Sequence, residues 1–338
     1  MTAKKIGKIR DVARETGLST ATISRVMNGA KNVSSETREL VLEASRRLDY
    51  LPNPAARALT TSSNRMIAAI IPTIEHSVFA KFITAIEQSL SENDYSLVLA
   101  ISNASEQDEL AALRKLLGMG AEAFILSGAA HSEELIELMQ RRGLPHVFTS
   151  VWEPDAASPT IGYDNFALAA EAVRYLAGRG HRNITIVHGP LTDSDRTRAR
   201  RAGAQSAVSL GVTLDFYEVP LDVAGGKQAF GRITEDDREP TALLCFSDVL
   251  ALGCYFGAQE AGISIPDQLS LMGFDNLDWS DELFPRLTTI NLPARRMGHL
   301  AATSLVAHLE NGKAIDPALI DGEIIERDSV RDLNTPTK

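Results

Sequence analysis

The spacing of apolar positions predicts short helices in residues 1–65. Ile9, Val12 and Ala13 share one helical face, and Gly17 ends that pattern. Ile23 and Val26 begin a second face. A third face comprises Val41, Leu42, Ala44 and Leu48, in a helix that Ser34 or Ser35 can cap.

From Met66 onward, apolar strands alternate with amphipathic helices. The predicted strands are Ile67–Ile71, Leu97–Ile101, Ala123–Leu126, His146–Thr149, Ile184–Val187, Phe216–Val219, Leu243–Phe246 and Leu269–Met272. Helices predicted between them include Phe79–Glu92, Glu106–Leu117, Glu133–Arg141, Phe166–Gly178, Arg196–Leu210 and Val249–Glu260. Such alternation is typical of parallel sheets with helices on both faces.

The stretch Trp152–Thr160, with two prolines, interrupts this alternation. The region after Met66 is long for a single sheet, so we expect two sheets of similar size, one on each side of the break. A ligand cleft would then lie between them, at the carboxyl ends of the strands.

Composition narrows the class of protein. A chain of 338 residues with 44% hydrophobic and 23% charged positions is globular and fits two or three domains. Its two cysteines stand in apolar surroundings, and its basic start has no apolar stretch behind it, which predicts a reducing, cytoplasmic location. No apolar run is long enough for a membrane span, so no membrane partner is expected.

Charge is divided unevenly along the chain. The net charge is −10, but residues 1–65 carry twelve Lys and Arg against six Asp and Glu, a net +6. The remainder carries 22 positive and 38 negative residues, a net −16. A small basic module joined to a large acidic one is compatible with a nucleic-acid partner for the first part.

Residues Ile9–Asn28 have the spacing of a helix-turn-helix. Ala13 permits close approach of the second helix, Gly17 suits the turn, and Ser19 or Thr20 can cap the second helix. The outward positions of that helix are Thr20, Ala21, Ser24 and Arg25, a small polar face with one guanidinium that can read guanine. An ordinary helical hairpin with a solvated face is the alternative.

Longer motifs resemble the lactose-repressor (LacI/GalR) family of bacterial transcriptional regulators over essentially the whole chain. In the N-terminal part these are DVARETGLSTATISRVMN at 11–28, VSSETR at 33–38 and LDYLPNPAARAL at 48–59. The core motifs include GPL at 189–191, PTA at 240–242, GFDN at 273–276 and LTTI at 287–290. These core motifs are shared with periplasmic sugar-binding proteins.

The resemblance implies a set of DNA contacts. Base contacts are expected from Thr20, Ala21 and Arg25, and phosphate contacts from Thr22, Ser24, Asn28, Ser34 and Asn53. Residues 53–59 match a hinge helix that enters the minor groove with Ala56 and Leu59, where the leucine would kink the duplex. The alternative for Leu59 is a linker leucine packed on the core.

The resemblance also implies an effector site between two core subdomains, formed by Phe79, Ser127, Trp152, Arg200, Ser247 and Asp275. An aromatic face with Arg and Asp suits a small polyol. Phe79 could instead be a core residue and Asp275 only a turn residue. Asp164 and Asp248 are interpreted as helix N-caps rather than ligand contacts.

The chain departs from the family pattern around Arg196–Arg201, where one extra residue precedes Ala202-Gly203 and Arg201 replaces a usual apolar residue. Either Arg198, Arg200 or Arg201 could therefore be the ligand arginine. Four arginines in six positions favour an anionic effector such as a sugar acid or phosphate, unless Asp193 and Asp195 neutralise them.

The predicted fold is a small all-α helix-turn-helix DNA-binding domain followed by a two-lobed α/β periplasmic-binding-protein-like core of two doubly wound parallel sheets. The expected boundaries are 1–52 for the DNA-binding domain, 53–65 for the hinge helix and linker, and 66–333 for the effector-binding and dimerisation core. Within this core, one subdomain comprises about 66–160 and 292–320, and the other about 161–291 and 321–333.

The predicted function is ligand-responsive transcriptional regulation, most simply repression. A homodimer would bind a near-palindromic operator, because one helix reads too few base pairs, and a sugar, sugar acid or similar effector would occupy the cleft. The alternative is a solute-binding protein without a DNA role, which the basic module argues against. No histidine or cysteine cluster suggests a metal, no cofactor is expected, and no nucleophile motif suggests an enzyme.

Overall fold

The computed structural model describes residues 7–27, 30, 32–51, 63–74, 77–192, 194–236 and 238–335. The chain divides into two compact units, Met1–Arg65 and Met66–Lys338. Among the described helices, none is long and apolar enough to cross a membrane.

The first unit contains helices α1 (Ile9–Thr16), α2 (Thr20–Met27) and α3 (Ser35–Arg47). They enclose a small core of fully or nearly fully buried side chains, namely Val12, Ile23, Val26, Val41 and Ala44. Gly17 has φ +70° between α1 and α2, a left-handed conformation that glycine adopts without a Cβ clash. The predicted helix-turn-helix is confirmed.

The second unit has two six-stranded sheets. The first sheet has the order β11-β5-β4-β3-β1-β2, with strands β1 (Met66–Ile71), β2 (Ser96–Ile101), β3 (Ala123–Ser127), β4 (His146–Thr149), β5 (Thr160–Gly162) and β11 (Ala318–Leu319). The second has the order β12-β10-β9-β8-β6-β7, with strands β6 (Asn183–His188), β7 (Thr213–Glu218), β8 (Ala242–Cys245), β9 (Ser270–Asp275), β10 (Thr288–Asn291) and β12 (Glu323–Ile325). All pairings are parallel except that of β10 with β12.

Eight helices accompany the two sheets in the described part of this unit: α4 (Ser77–Ser91), α5 (Glu106–Met119), α6 (Glu133–Arg142), α7 (Asn165–Gly178), α8 (Asp195–Ser206), α9 (Val223–Thr234), α10 (Asp248–Ala261) and α11 (Ala294–Asn311). The first sheet and its helices form the first lobe, and the second sheet and its helices form the second lobe. Helix α11 packs against α4 of the first lobe, although it follows strand β10 of the second lobe. The chain therefore crosses between lobes after β5, after β10 and between β11 and β12. The predicted two-lobed, doubly wound α/β core is confirmed.

Both sheets share one topology, which determines where a ligand can bind. In the first sheet β1 lies between β2 and β3, and in the second sheet β6 lies between β7 and β8. Consecutive crossovers run to opposite sides at these points, so a crevice opens at the carboxyl ends of the central strands. The segments beginning at Pro72, Gly128, Gly189 and Phe246 follow those strand ends.

Gly226 is required by the contact between α9 and α10. A Cβ at this position would lie 2.3 Å from the Leu250 carbonyl oxygen and 3.0 Å from the Gly253 Cα. Gly226 thus serves close helix packing. Gly231, in the same helix, has open space around the corresponding position.

Replacing Gly226 by Ala should therefore destabilise the second lobe, by about 1–3 kcal/mol for an overpacked contact. Gly231→Ala is the matched control and should be neutral or stabilising by up to about 1 kcal/mol, because alanine favours helix. Urea unfolding curves of both variants test this. Equal effects at the two positions would contradict the packing argument.

Candidate functional sites

Helix α2 presents a polar surface opposite its buried side. Ile23 is 0% and Val26 3% exposed, whereas Thr20, Ala21 and Arg25 are exposed. The small side chains at positions 20 and 21 leave the helix free to approach another surface closely, and Arg25 supplies a positive charge one turn later. This is the shape and chemistry that a helix needs to read bases in a major groove.

Serine caps orient the N-termini of α2 and α3. The Ser19 Oγ accepts a hydrogen bond from the Thr22 backbone N–H at 3.1 Å and contacts the Thr22 hydroxyl at 2.9 Å. The Ser34 Oγ accepts from the Thr37 N–H at 3.2 Å. Ser24 is half-buried on α2. The predicted contacts Asn28, Asn53, Ala56 and Leu59 lie outside the described residues.

A cavity of about 450 Å³ opens between the two lobes at the carboxyl ends of the strands. Four of the predicted effector residues line it: Phe79, Arg200, Ser247 and Asp275. This "main cavity" has a volume within the usual range of small-molecule sites, about 300–1,000 Å³. Its wall combines aromatic rings with a few charged groups.

Arg200 is almost fully buried and held from several directions. Its Nε donates to Asn165 Oδ1 at 2.9 Å, and its Nη1 donates to the Phe246 carbonyl at 2.6 Å. The guanidinium also lies 4.0 Å above the centre of the Phe274 ring. These contacts fix one edge of the guanidinium, while Arg200 itself remains part of the cavity wall.

Asp275 stands on the same wall with a strained backbone, at φ +123°. Its Oδ2 accepts a hydrogen bond from the Ser247 hydroxyl at 2.9 Å. Burial raises the pKa of Asp275 to about 7, against the opposing effect of Arg200. The carboxyl can therefore accept or donate a hydrogen bond to a ligand near neutral pH.

The other two predicted effector residues lie elsewhere. Trp152, in the segment between β4 and β5, is not among the residues that line the main cavity. Ser127, at the end of β3, lines a smaller second cavity of about 210 Å³. Phe79 is half-buried and faces the main cavity.

The interpretation of Asp248 as a helix N-cap is wrong, because Ser247 caps α10 by accepting from the Val249 N–H at 3.3 Å. Asp248 is instead buried, and accepts from Leu277 N–H, Ser280 Oγ and Thr289 Oγ1 at 2.9, 2.6 and 2.5 Å. It joins α10 to the segments around β9 and β10. Asp164 does cap α7, accepting from Ala167 N–H at 2.9 Å.

The four arginines of 196–201 point to different partners. Arg196 pairs with Asp195 at 3.2 Å, and Arg198 donates to the Leu191 carbonyl at 2.6 Å. Arg201 donates to His188 Nε2 at 3.1 Å and lines neither cavity. Arg200 and Arg196 line the main cavity, whereas Arg198 lines only the second one.

Sequence reasoning missed several residues of the main cavity, including Tyr163, Arg196 and Asp222. It also missed Asn165, which supports Arg200 and whose Nδ2 donates to the Ser150 carbonyl at 2.9 Å. The polar triplet Tyr-Asp-Asn at 163–165, directly after the break that separates the lobes, was the available signal.

Two sets of direct contacts join the lobes, each close in sequence to residues that line the main cavity. Asp195 Oδ2 on α8 accepts from the Ala129 and Ala130 N–H groups of the first lobe at 2.7 and 3.1 Å. Lys81 on α4 pairs with Asp278 of the second lobe at 2.7 Å and donates to the Asn276 carbonyl at 3.0 Å. The two lobes are thus held together at two separate places.

Two family models match the chain. Residues 8–53 match the description "Bacterial regulatory proteins, lacI family" and residues 173–330 match "Periplasmic binding protein-like domain". Catabolite control protein A of Priestia megaterium is 32% identical over 92% of this chain and 95% of the relative. The HTH-type transcriptional repressor CytR of Escherichia coli strain K12 is 30% identical over 98% of this chain and its whole length.

Solved structures of lacI family regulators are also similar to this chain. The lac repressor dimer bound to operator and the anti-inducer ONPF has a TM-score of 0.86 at 25% identity, over 97% of this chain and 100% of the other. A LacI family transcriptional regulator from Enterococcus faecium with bound ribose has a TM-score of 0.71 at 26% identity, over 79% of this chain and 99% of the other.

The raised pKa of Asp275 gives a pH-dependent contribution to stability. Because its pKa in the folded protein exceeds the ordinary value of 3.8, the carboxyl destabilises the fold above pH 7, and this effect disappears as pH falls through 7 towards 4. Asp275→Asn should therefore raise the melting temperature relative to wild type at pH 8 more than at pH 5. The gain in free energy of unfolding from Asp275→Asn should be about 1 kcal/mol or more larger at pH 8 than at pH 5.

Melting curves of ligand-free protein at both pH values measure this difference, which includes the effect of the Asp275 charge on the neighbouring Asp248 carboxyl. Ser247→Ala retains the carboxyl but removes a hydrogen bond that lowers its pKa, so its pH dependence should be at least as large as that of the wild type. A gap between Asp275→Asn and wild type that is the same at pH 5 and pH 8 would contradict the assignment.

Proposed function

Because the chain belongs to the lacI family of bacterial regulatory proteins, we propose that it binds a near-palindromic operator as a homodimer, under control of a sugar-like effector in its main cavity. At the coarser level it is a ligand-responsive transcriptional repressor, like relatives that are repressors and not enzymes. This role places it with the chromosome, in the cytoplasm. One observation carries the proposal: a helix-turn-helix with an exposed polar face and a two-lobed ligand cavity occur in one chain.

Thr20, Ala21 and Arg25 are proposed to read bases, because they are the exposed positions of α2. Ala21 offers only an apolar contact, such as to a thymine methyl, whereas Arg25 can donate two hydrogen bonds to guanine. Thr22, Ser24, Asn28, Ser34 and Asn53 are proposed to bind phosphates, and Ala56 and Leu59 to enter the minor groove. Two-fold symmetry of the protein would require a near-palindromic site.

Exposed apolar side chains on the second unit support a dimer. Phe284 is 91% and Phe256 40% exposed. The Tyr255 hydroxyl donates to the Phe284 backbone carbonyl, and the Tyr255 ring contacts the Phe256 ring. The first lobe exposes Leu99 and Ile101 on β2, an edge strand of its sheet. Edge strands and apolar patches of this kind are usually covered, and a second copy of the chain would cover them.

The effector is proposed to bind between the lobes, where Phe79 can stack on C–H edges while Arg200 and Asp275 bind hydroxyls. The ribose bound to the Enterococcus faecium regulator supports a ligand of this kind. A ligand held by both lobes changes the angle between them, and so alters operator affinity. Because this coupling is reciprocal, operator binding must alter the affinity for the effector by the same factor as the effector alters the affinity for the operator.

Arg25→Gln should weaken binding to an operator selected from random-sequence DNA by roughly 10- to 100-fold, because a bidentate arginine–guanine contact contributes about 1–3 kcal/mol. Binding to scrambled DNA should change much less. Arg46→Gln removes the same charge from α3 and should weaken binding to both DNAs by the same factor. Fluorescence anisotropy at several salt concentrations tests this, and parallel losses for Arg25→Gln on both DNAs would contradict base reading.

Phe284→Glu combined with Phe256→Glu should convert the dimer into a monomer, because two buried carboxylates would face an apolar contact. Phe166→Glu, at a Phe on α7 that is 45% exposed, is the matched control and should remain dimeric. Analytical ultracentrifugation gives the mass directly. A double variant that stays dimeric would show that the interface lies elsewhere.

A further inference from the structure

The second cavity extends the main one. Its volume is about 210 Å³, and the two cavities share the lining residues Pro72, Ala104, Ser194 and Arg196. At about 30 Å³ for each water in the liquid, this space corresponds to about seven water molecules. It is therefore large enough for a ring-sized group rather than one substituent. We call it the polar annex.

Ser127 gives the annex an unmet hydrogen-bonding requirement. Its side chain lines the annex at the end of β3, and its buried Oγ has no hydrogen-bond partner among the described residues. A buried hydroxyl without a partner destabilises the protein, so native structures nearly always supply one. A ligand hydroxyl in the annex would do so after a rotation of the Ser127 side chain, since the Oγ is closed to solvent as it stands.

The arginines and Glu109 of the annex already have partners within the protein. Arg196 is paired with Asp195, and the Arg198 guanidinium donates to a carbonyl. Glu109 contacts His131 at 2.9 Å. The described lining of both cavities carries three arginines (196, 198 and 200) against five carboxyls (Glu106, Glu109, Asp195, Asp222 and Asp275). A phosphate or a sugar acid would meet this excess of carboxyls, so an uncharged ligand fits better.

We propose that the effector is an uncharged disaccharide or glycoside, whose first ring lies against Phe79 in the main cavity and whose second ring lies in the polar annex, with hydroxyls on Ser127 and Glu106. This rests on the proposed function of the main cavity as the effector site. Glu106 is exposed and opens α5, next to its Ser105 cap, so its carboxylate can accept from a sugar hydroxyl. The anionic effector suggested by the four clustered arginines is disfavoured.

The probes are maltose, cellobiose and lactose, compared with glucose, galactose, glucose 6-phosphate and cytidine, by calorimetry on the purified full chain. At least one disaccharide should bind roughly tenfold or more tightly than either of its monosaccharides, as an added set of hydrogen bonds requires. Preference for the phosphate, for the nucleoside or for a monosaccharide would overturn the proposal. So would the absence of binding by every disaccharide.

Two variants locate the second ring. Ser127→Val fills the annex with methyl groups and removes the unpartnered hydroxyl, and should reduce the ratio of disaccharide to monosaccharide affinity by roughly tenfold. Glu106→Ala should act in the same direction. Glu133→Ala is its matched control, since Glu133 is also exposed and follows a serine cap, on α6 outside both cavities. An unchanged ratio in Ser127→Val would place the second ring elsewhere.

Operator binding, measured separately on the same proteins, distinguishes the two proposals. A protein that prefers a disaccharide but binds no DNA would support the proposed role of the annex and contradict the proposed function. A protein that binds operator and prefers a monosaccharide or a sugar phosphate would support the proposed function and contradict the proposal of a disaccharide.

Discussion

The buried guanidinium of Arg200 is the constraint on which the ligand cavity depends. It is only 8% exposed, and a buried charge is strongly destabilising unless other groups compensate it. Compensation comes from Asn165, the Phe246 carbonyl and the Phe274 ring, which lie at the start of α7, after β8 and in β9. Because these segments are far apart in sequence, the guanidinium is correctly held only when the second lobe is fully folded.

The same contacts connect ligand binding to the arrangement of the lobes. Asn165 accepts a hydrogen bond from Arg200 and donates one to the Ser150 carbonyl of the first lobe. A shift of Arg200 would therefore act directly on this contact between the lobes. Asp195 holds the first lobe through two backbone amides; although burial raises its pKa, Arg196 and these amides together lower it. A ligand between the lobes therefore competes with, or adds to, contacts that already set their angle, and it needs differential affinity for two angles to act.

Local patterns predicted the fold well, whereas the site required contacts that no pattern contains. All eight predicted strands occur. Strands β5, β11 and β12 were missed because they are only two or three residues long, and β10 because its four residues include only one apolar residue, Ile290. The predicted helix Arg196–Leu210 ends at Ser206 and continues as a 3-10 turn. Family resemblance supplied Arg200, but the direction of each of the four arginines follows from tertiary partners such as His188, which the sequence does not bring near.

The division of charge acquires a second meaning once the cavities are known. The basic unit carries its exposed Arg25 on a surface suited to phosphate-rich DNA, whereas the arginines of the acidic unit are held by carbonyls, rings and carboxylates of the chain itself. Positive charge is thus exposed on the first unit, whereas in the cleft it is already engaged by groups of the chain itself. Since charge on a ligand is favoured only where the site leaves an opposite charge uncompensated, this arrangement supports the proposal of an uncharged ligand in the cleft.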